Sequence, residues 1–297
     1  MPHAHVSAAA GHRQRLKAVF LITVAVFFVE LIGGFVSNSL ALLADAGHMF
    51  TDVAGIGLAL LAIWFAGRPA NQERTYGYLR LEILAAVVNA VLLFGIALYV
   101  LFEAWRRLSA PPEVASGLML AIALVGLFAN GVSIFLLRDA QRTSLNMRGA
   151  YLEVMGDLAG SAAVVAAAVV ITVTGWVQAD AVASVVIGLL ILPRTYHLLR
   201  EAVDVLLEAT PKGIDLDEVR RHILGAPGVE DVHDLHAWTI TSGMNVVSAH
   251  VTVEPGADGA AVLDELCRCL SGDFDIEHST FQLETSDRRR LEEAGHA

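Results

Sequence analysis

The chain of 297 residues is 55% hydrophobic and only 17% charged, a balance that excludes a soluble domain of this length and places most of it in lipid or in a membrane bundle. The formal net charge is -11, but from Asp204 onward 19 acidic residues face 7 basic ones. The acidity therefore belongs to a separate soluble tail that attracts cations, and nucleic acid is excluded as a partner.

In chain order, residues 1–15 read as a disordered arm whose His3, His5 and His12 are a poor metal signal. The apolar run after Lys17 is too long for a cleavable signal peptide and lacks a small-residue cleavage site. Runs of about 20 apolar residues predict six membrane helices near 17–36, 40–66, 81–102, 114–137, 151–173 and 179–197. Together they make a six-helix bundle over residues 16–208. The even count puts both termini on one side. Eleven Arg and Lys residues between Arg13 and Arg200 fall on that side, against only Arg106 and Arg107 on the other. The positive-inside rule then makes this a multi-pass protein of the inner (cytoplasmic) membrane with both termini in the cytoplasm. Trp105 and Trp176 fall at the outer interface and Trp64 near the inner one, as half-polar rings should.

Thr210-Pro211-Lys212-Gly213 ends the helical pattern and opens the cytoplasmic tail, residues 209–297. Its pattern predicts helix 216–224, strands 229–240 and 245–253 around a turn at Gly243, helix 260–270 and strand 276–283. That is a small α+β module with a thin core, which dimerisation or metal binding would help to hold. Cys267 and Cys269 are the only cysteines, so a disulfide framework is excluded. Their spacing on a helix points the thiols in different directions, and they read as reduced thiols packed partly in that core rather than as a metal-capturing pair.

An ionisable side chain near mid-bilayer costs at least about 2.5 kcal/mol, so it is a functional candidate by default. The second span carries Asp45, His48 and Asp52 at spacings of three and four, and the fifth carries Glu153 and Asp157 four apart. Each set lines one helix face. If the faces meet, His48, Asp52, Glu153 and Asp157 supply the four ligands of a tetrahedral divalent site, and the cation neutralises carboxylates that lipid would otherwise penalise. Asp45, a turn outward of His48, is either a supporting or exit-path group or a packing contact. Glu30, Asn89 and Asn130 are expected to form hydrogen bonds between helices.

The run Ser39-Leu40-Ala41-Leu42-Leu43-Ala44-Asp45-Ala46-Gly47-His48-Met49-Phe50-Thr51-Asp52, with Tyr76-Gly77-Tyr78-Leu79-Arg80-Leu81-Glu82 and Gly149-Ala150-Tyr151-Leu152-Glu153-Val154-Met155-Gly156-Asp157, resembles the cation diffusion facilitators. So do His233-Asp234-Leu235-His236-Ala237-Trp238 and Glu277-His278-Ser279-Thr280-Phe281-Gln282-Leu283-Glu284 in the tail. The resemblance covers nearly the whole chain from Leu16. It implies a homodimeric metal/proton antiporter, not an enzyme, with a transport site on helices two and five and a ferredoxin-like cytoplasmic domain. It also implies that His233, His250 and His278, with Glu284, hold a regulatory metal. No cofactor is implied; the ion moved is zinc first, with Co(II), Cd(II), Mn(II) and Fe(II) as further candidates. Zinc exporters of the family carry His-x-x-x-Asp on both helices, whereas this chain has Glu153 at one of the two His positions. One imidazole with three carboxylates is a harder, more anionic set, which should tolerate Mn(II), Fe(II) or Co(II) better. Metal specificity, the number of protons exchanged and occupancy of the tail site are left open by the sequence. The stretch between spans four and five has no histidine, so a metal-collecting loop is not expected there. An intramembrane metalloenzyme and a membrane metal sensor are the competing readings. The first lacks a His-Glu-x-x-His or Gly-x-Ser-x-Gly motif, and the second leaves the buried site without a role.

Overall fold

The computed structural model describes residues 13–139, 141, 145–274, 276 and 278–289. Most of the N-terminal arm, with His3, His5 and His12, lies outside them. Six long helices come first: α1 (Arg13–Ser37), α2 (Leu40–Ala66), α3 (Leu81–Ser109), α4 (Ser116–Leu137), α5 (Leu145–Thr174) and α6 (Gln178–Leu206). Among the described residues, α1 and α3 to α6 are long and apolar enough to cross a membrane. The 27 residues of α2 rise about 40 Å, more than the ~30 Å hydrocarbon core needs. It supplies the sixth span. Pro193 sits inside α6 without ending it, as neighbouring helices allow in membranes, and α6 runs on past 197 to Leu206.

Two compact units divide the chain: residues 1–58 with 88–199, and residues 59–87 with 200–297. In the first, Ala41, Ala44, Ala97, Ala123, Ala168 and Ala183 share one buried cluster with Leu42, Val164 and Ile187. Small side chains let helices approach closely enough for dispersion to hold them in lipid. Large apolar side chains such as Phe35, Phe128 and Val173 remain exposed, the outward face a bundle offers to acyl chains.

The start of α2 is fixed by a side chain far away in sequence. Asp180 accepts hydrogen bonds from Ser39 Oγ (2.6 Å), Leu40 N (2.7 Å) and Ala41 N (3.2 Å), and Arg107 lies 3.7 Å from the same carboxylate. The first amides of a helix have no partner within it, and a carboxylate there satisfies them and suits the helix dipole. The buried Asp180 thus sets the position of the helix that carries Asp45, His48 and Asp52.

The second unit contains α7 (Leu216–Leu224), β1 (Val229–Thr241), β2 (Met244–Val253), α8 (Gly259–Asp273) and β3 (His278–Glu284). Asp215 caps α7 and Asp258 caps α8, each accepting two amide hydrogen bonds. The strands lie in the order β1-β2-β3, with β1 and β2 antiparallel and β2 and β3 parallel. A parallel pair needs a crossover, and α8 provides it. Val219 and Ile223 of α7 and Val262, Leu266 and Leu270 of α8 form one core with Val232, Val247, Ala249 and Val251 of the sheet. The two cysteines stay out of that core: Cys267 is exposed and Cys269 half-buried, which corrects the expectation of partly core-packed thiols. The helix bears apolar residues at 262, 266 and 270, and neither cysteine is in phase with them.

Within this unit Glu82 accepts hydrogen bonds from Thr241 Oγ1 and Ser242 Oγ (2.7 Å for the latter). Arg80 pairs with Glu208 at 2.8 Å. The segment joining α2 to α3 is therefore tied to the β1–β2 turn and to the end of α6.

Candidate metal centres

The first centre lies where α2 and α5 face each other. His48 Nε2 is 3.7 Å from Asp52 Oδ2, its neighbour one turn on, and 3.7 Å from Asp157 Oδ1 across the interface. Ligand atoms of the three residues all fall within 4.8 Å of one another. Metal–ligand bonds of about 2.0–2.2 Å would set tetrahedral edges of about 3.3–3.6 Å. Both measured contacts come close to that edge and are too long for hydrogen bonds. His48 and Asp157 are buried, and His48 Nδ1 and Asp157 Oδ1 have no hydrogen-bond partner. Buried polar atoms are rarely left so, which makes this cluster a candidate site for an ion or proton.

Glu153 lies at the edge of the set. Its Oε1 accepts a hydrogen bond from Arg194 Nη2 at 2.8 Å, and its side chain is 34% exposed. Of the four expected ligands, three cluster closely, and the carboxylate of the fourth is shared between Arg194 of α6 and Asp52. Sequence reasoning counted Arg194 only as an inside-facing charge; its position one turn from the end of the apolar run gave no sign of a carboxylate partner.

Deeper in the bundle lies a second polar group. Ser161 Oγ donates to Asp45 Oδ2 at 3.3 Å and receives a hydrogen bond from Asn130 Nδ2 at 3.2 Å. Asp45 is thus held by Ser161 of α5. Glu30 is fully buried with both carboxylate oxygens lacking a hydrogen-bond partner, so the interhelical bond expected of it is not formed. Asn130 forms the bond expected of it, while Asn89 Oδ1 has no partner. Both acids lie against glycine: a Cβ at Gly160 would meet Asp45 Oδ1 at 2.7 Å, and one at Gly126 would meet Glu30 Oε1 at 2.3 Å.

The other centre belongs to the C-terminal domain. Register pairs His233 with His250 on β1 and β2, and Glu284 at the end of β3 reaches both. His250 Nδ1 lies 2.9 Å and His233 Nε2 3.5 Å from its carboxylate. The two rings meet edge to face with centroids 5.2 Å apart. The Glu284 side chain is only 1% exposed, the histidines about a quarter. His278 does not join them within one chain. It pairs with Val246 at the opposite end of β3, while Gln282 is the residue beside His250. His236 is carried away by an irregularity in β1 between His233 and His236 and pairs locally with Asp234 at 3.0 Å.

Comparison with known proteins identifies the family. The cation efflux transmembrane domain matches residues 16–207, and the cytoplasmic domain of cation efflux proteins matches residues 211–286. The chain belongs to the cation efflux family, the cation diffusion facilitators. Family membership makes it a multi-pass membrane transporter and removes the metalloenzyme reading. It is 45% identical over 287 residues to the metal cation efflux system protein CzcD of Cupriavidus metallidurans, covering 96% of this chain and 91% of that one. The zinc transporter ZitB of Escherichia coli is 42% identical over 287 residues, with 95% of this chain and 91% of the relative covered. The cadmium, cobalt and zinc/H(+)-K(+) antiporter of Bacillus subtilis is 39% identical over 290 residues, with 96% and 92% covered. A solved metal-bound C-terminal domain of the Cupriavidus transporter is 43% identical over 24% of this chain and 99% of its own, at a TM-score of 0.23.

Proposed function

We propose that this transporter exports zinc from the cytoplasm across the inner membrane in exchange for protons, working as a homodimer with both termini inside. The observation that carries the reading is the cluster of His48, Asp52 and Asp157 on two facing spans, in which the buried Asp157 Oδ1 faces His48 Nε2 and has no hydrogen-bond partner. The same atoms bind either a divalent cation or protons, and competition between the two couples their movement. The relatives' names add zinc, cadmium and cobalt as cargo and protons with potassium as the counter-ions of one of them. The eleven-to-two bias of basic residues supports the orientation, and the matched dimer domain supports the homodimer.

Glu153 acts as a conditional ligand. Released from Arg194, it gives the harder four-ligand set; held there, it leaves one imidazole and two carboxylates with an open position for water. Arg194 thereby tempers the anionic character that Glu153 would bring, which keeps zinc ahead of manganese and iron. The C-terminal cluster of His233, His250 and Glu284 holds a regulatory metal.

Purified protein in liposomes tests the proposal. Zinc uptake should follow an imposed pH gradient, acid inside the vesicle, and stop when the gradient is collapsed. Uptake indifferent to the gradient would remove the proton from the mechanism, and no uptake of any divalent metal would return the sensor reading.

A further inference from the structure

At the end of the C-terminal domain away from the core, a third set of side chains meets. His222 stands in the last turn of α7, and Cys269 and Asp273 lie one turn apart at the end of α8. Cys269 Sγ is 3.5 Å from His222 Nδ1 and 3.7 Å from Asp273 Oδ2, and His222 Nδ1 is 3.5 Å from the same carboxylate oxygen. An ion bound at about 2.3 Å to sulfur and about 2.0–2.2 Å to nitrogen and oxygen sets tetrahedral edges of about 3.3–3.7 Å. The three measured separations match all three edges. The His–Asp separation lies in ion-pair range and the thiol donates to Asp273 Oδ2, so the three groups already converge on one point before any ion enters.

The surroundings favour a ligand as well. Glu218, one helical turn before His222, lines the same cleft with Gly213, Gly272 and Phe274. The glycines leave the fourth side open, and Phe274 packs edge to face on the His222 ring at 5.0 Å, which limits its rotation.

We propose that His222, Cys269 and Asp273 form a metal site for a thiophilic divalent cation, zinc or cadmium, with Glu218 or water as the fourth ligand. Its ion staples the end of α7 to the end of α8. A sulfur, a nitrogen and an oxygen donor make it the softest of the three centres, since the other two contain only nitrogen and oxygen. The proposal stands whether or not the protein moves zinc, because it concerns binding alone.

Cobalt(II) titration of the full-length protein in detergent is the test, because cobalt bound to thiolate gives a near-ultraviolet charge-transfer band that nitrogen and oxygen ligands do not. The band should appear in wild type, persist in Cys267→Ser and vanish in Cys269→Ser, with one cadmium per chain lost in equilibrium dialysis. A second readout needs no variant: cadmium should protect Cys269, but not Cys267, from iodoacetamide as read by mass spectrometry. No thiolate band at saturating cobalt, a band that survives Cys269→Ser, or equal alkylation of both cysteines with and without cadmium would overturn the site.

Discussion

The intramembrane cluster of His48, Asp52 and Asp157 and the C-terminal cluster of His233, His250 and Glu284 are built from the same two chemical groups, and each gathers its ligand atoms within 4.8 Å. They differ in how they stand without an ion. In the sheet, Glu284 already lies 2.9 Å from His250 Nδ1, a charge-assisted contact that persists with no metal present. Between α2 and α5 the contacts are 3.7 Å, while a buried atom without a hydrogen-bond partner occurs in both clusters, at His48 Nδ1 and Asp157 Oδ1 in the bundle and at Glu284 Oε2 in the sheet. Lipid offers no water to make good that loss. Under the proposed function, the longer contacts in lipid suit a carrier site that a cation or proton completes, and the shorter His–Glu contact in the sheet suits a regulatory site that can stand empty.

Substitutions can break this contrast. The largest effect is expected from His48→Ala: losing a direct ligand should reduce zinc flux by more than the ~10–100-fold that follows loss of a group behind a ligand, measured in proteoliposomes. Next comes the pairing on α6. Arg194→Gln frees Glu153 and should shift transport toward manganese and cobalt, while Glu153→His should shift it toward zinc; competition assays with mixed metals read both. Unchanged selectivity in both variants would show that Glu153 never enters the site. In the C-terminal domain, Glu284→Gln removes a direct ligand and should weaken metal binding by more than ~10–100-fold while leaving flux at saturating zinc near that of wild type. The smallest effect concerns position rather than binding. Asp180→Ala removes the cap of α2 and should cost about 1–2 kcal/mol, seen as a lower melting temperature in detergent, with metal selectivity unchanged.

Much of this was legible from residue order. Apolar runs located all six helices, and α2 ends where its run ends, because hydrophobic length is set by the bilayer rather than by tertiary detail. The i, i+4 spacing of His48 and Asp52 placed both on one face, while the approach of Asp157 to them stayed conditional on the two helices meeting. Within the C-terminal domain, alternation found β1 and β2 to within one residue at each end. What stayed hidden depends on register and on partners distant in sequence. A parallel strand slides His278 to the far end of β3, and no local pattern records that offset. Arg194 reaches Glu153 across 41 residues, and Cys269 meets His222 across 47. Spacing along one helix could say only that Cys267 and Cys269 point apart, which they do: Cys267 contacts Ser279, and Cys269 contacts His222 and Asp273.

The contrast between the two clusters is tested most directly by measuring zinc flux under a pH gradient for Asp157→Ala and His250→Ala side by side, each in liposomes at matched protein density. The expected result is loss of flux in Asp157→Ala and retained flux at saturating zinc in His250→Ala. Flux retained in Asp157→Ala would contradict a transport site between α2 and α5.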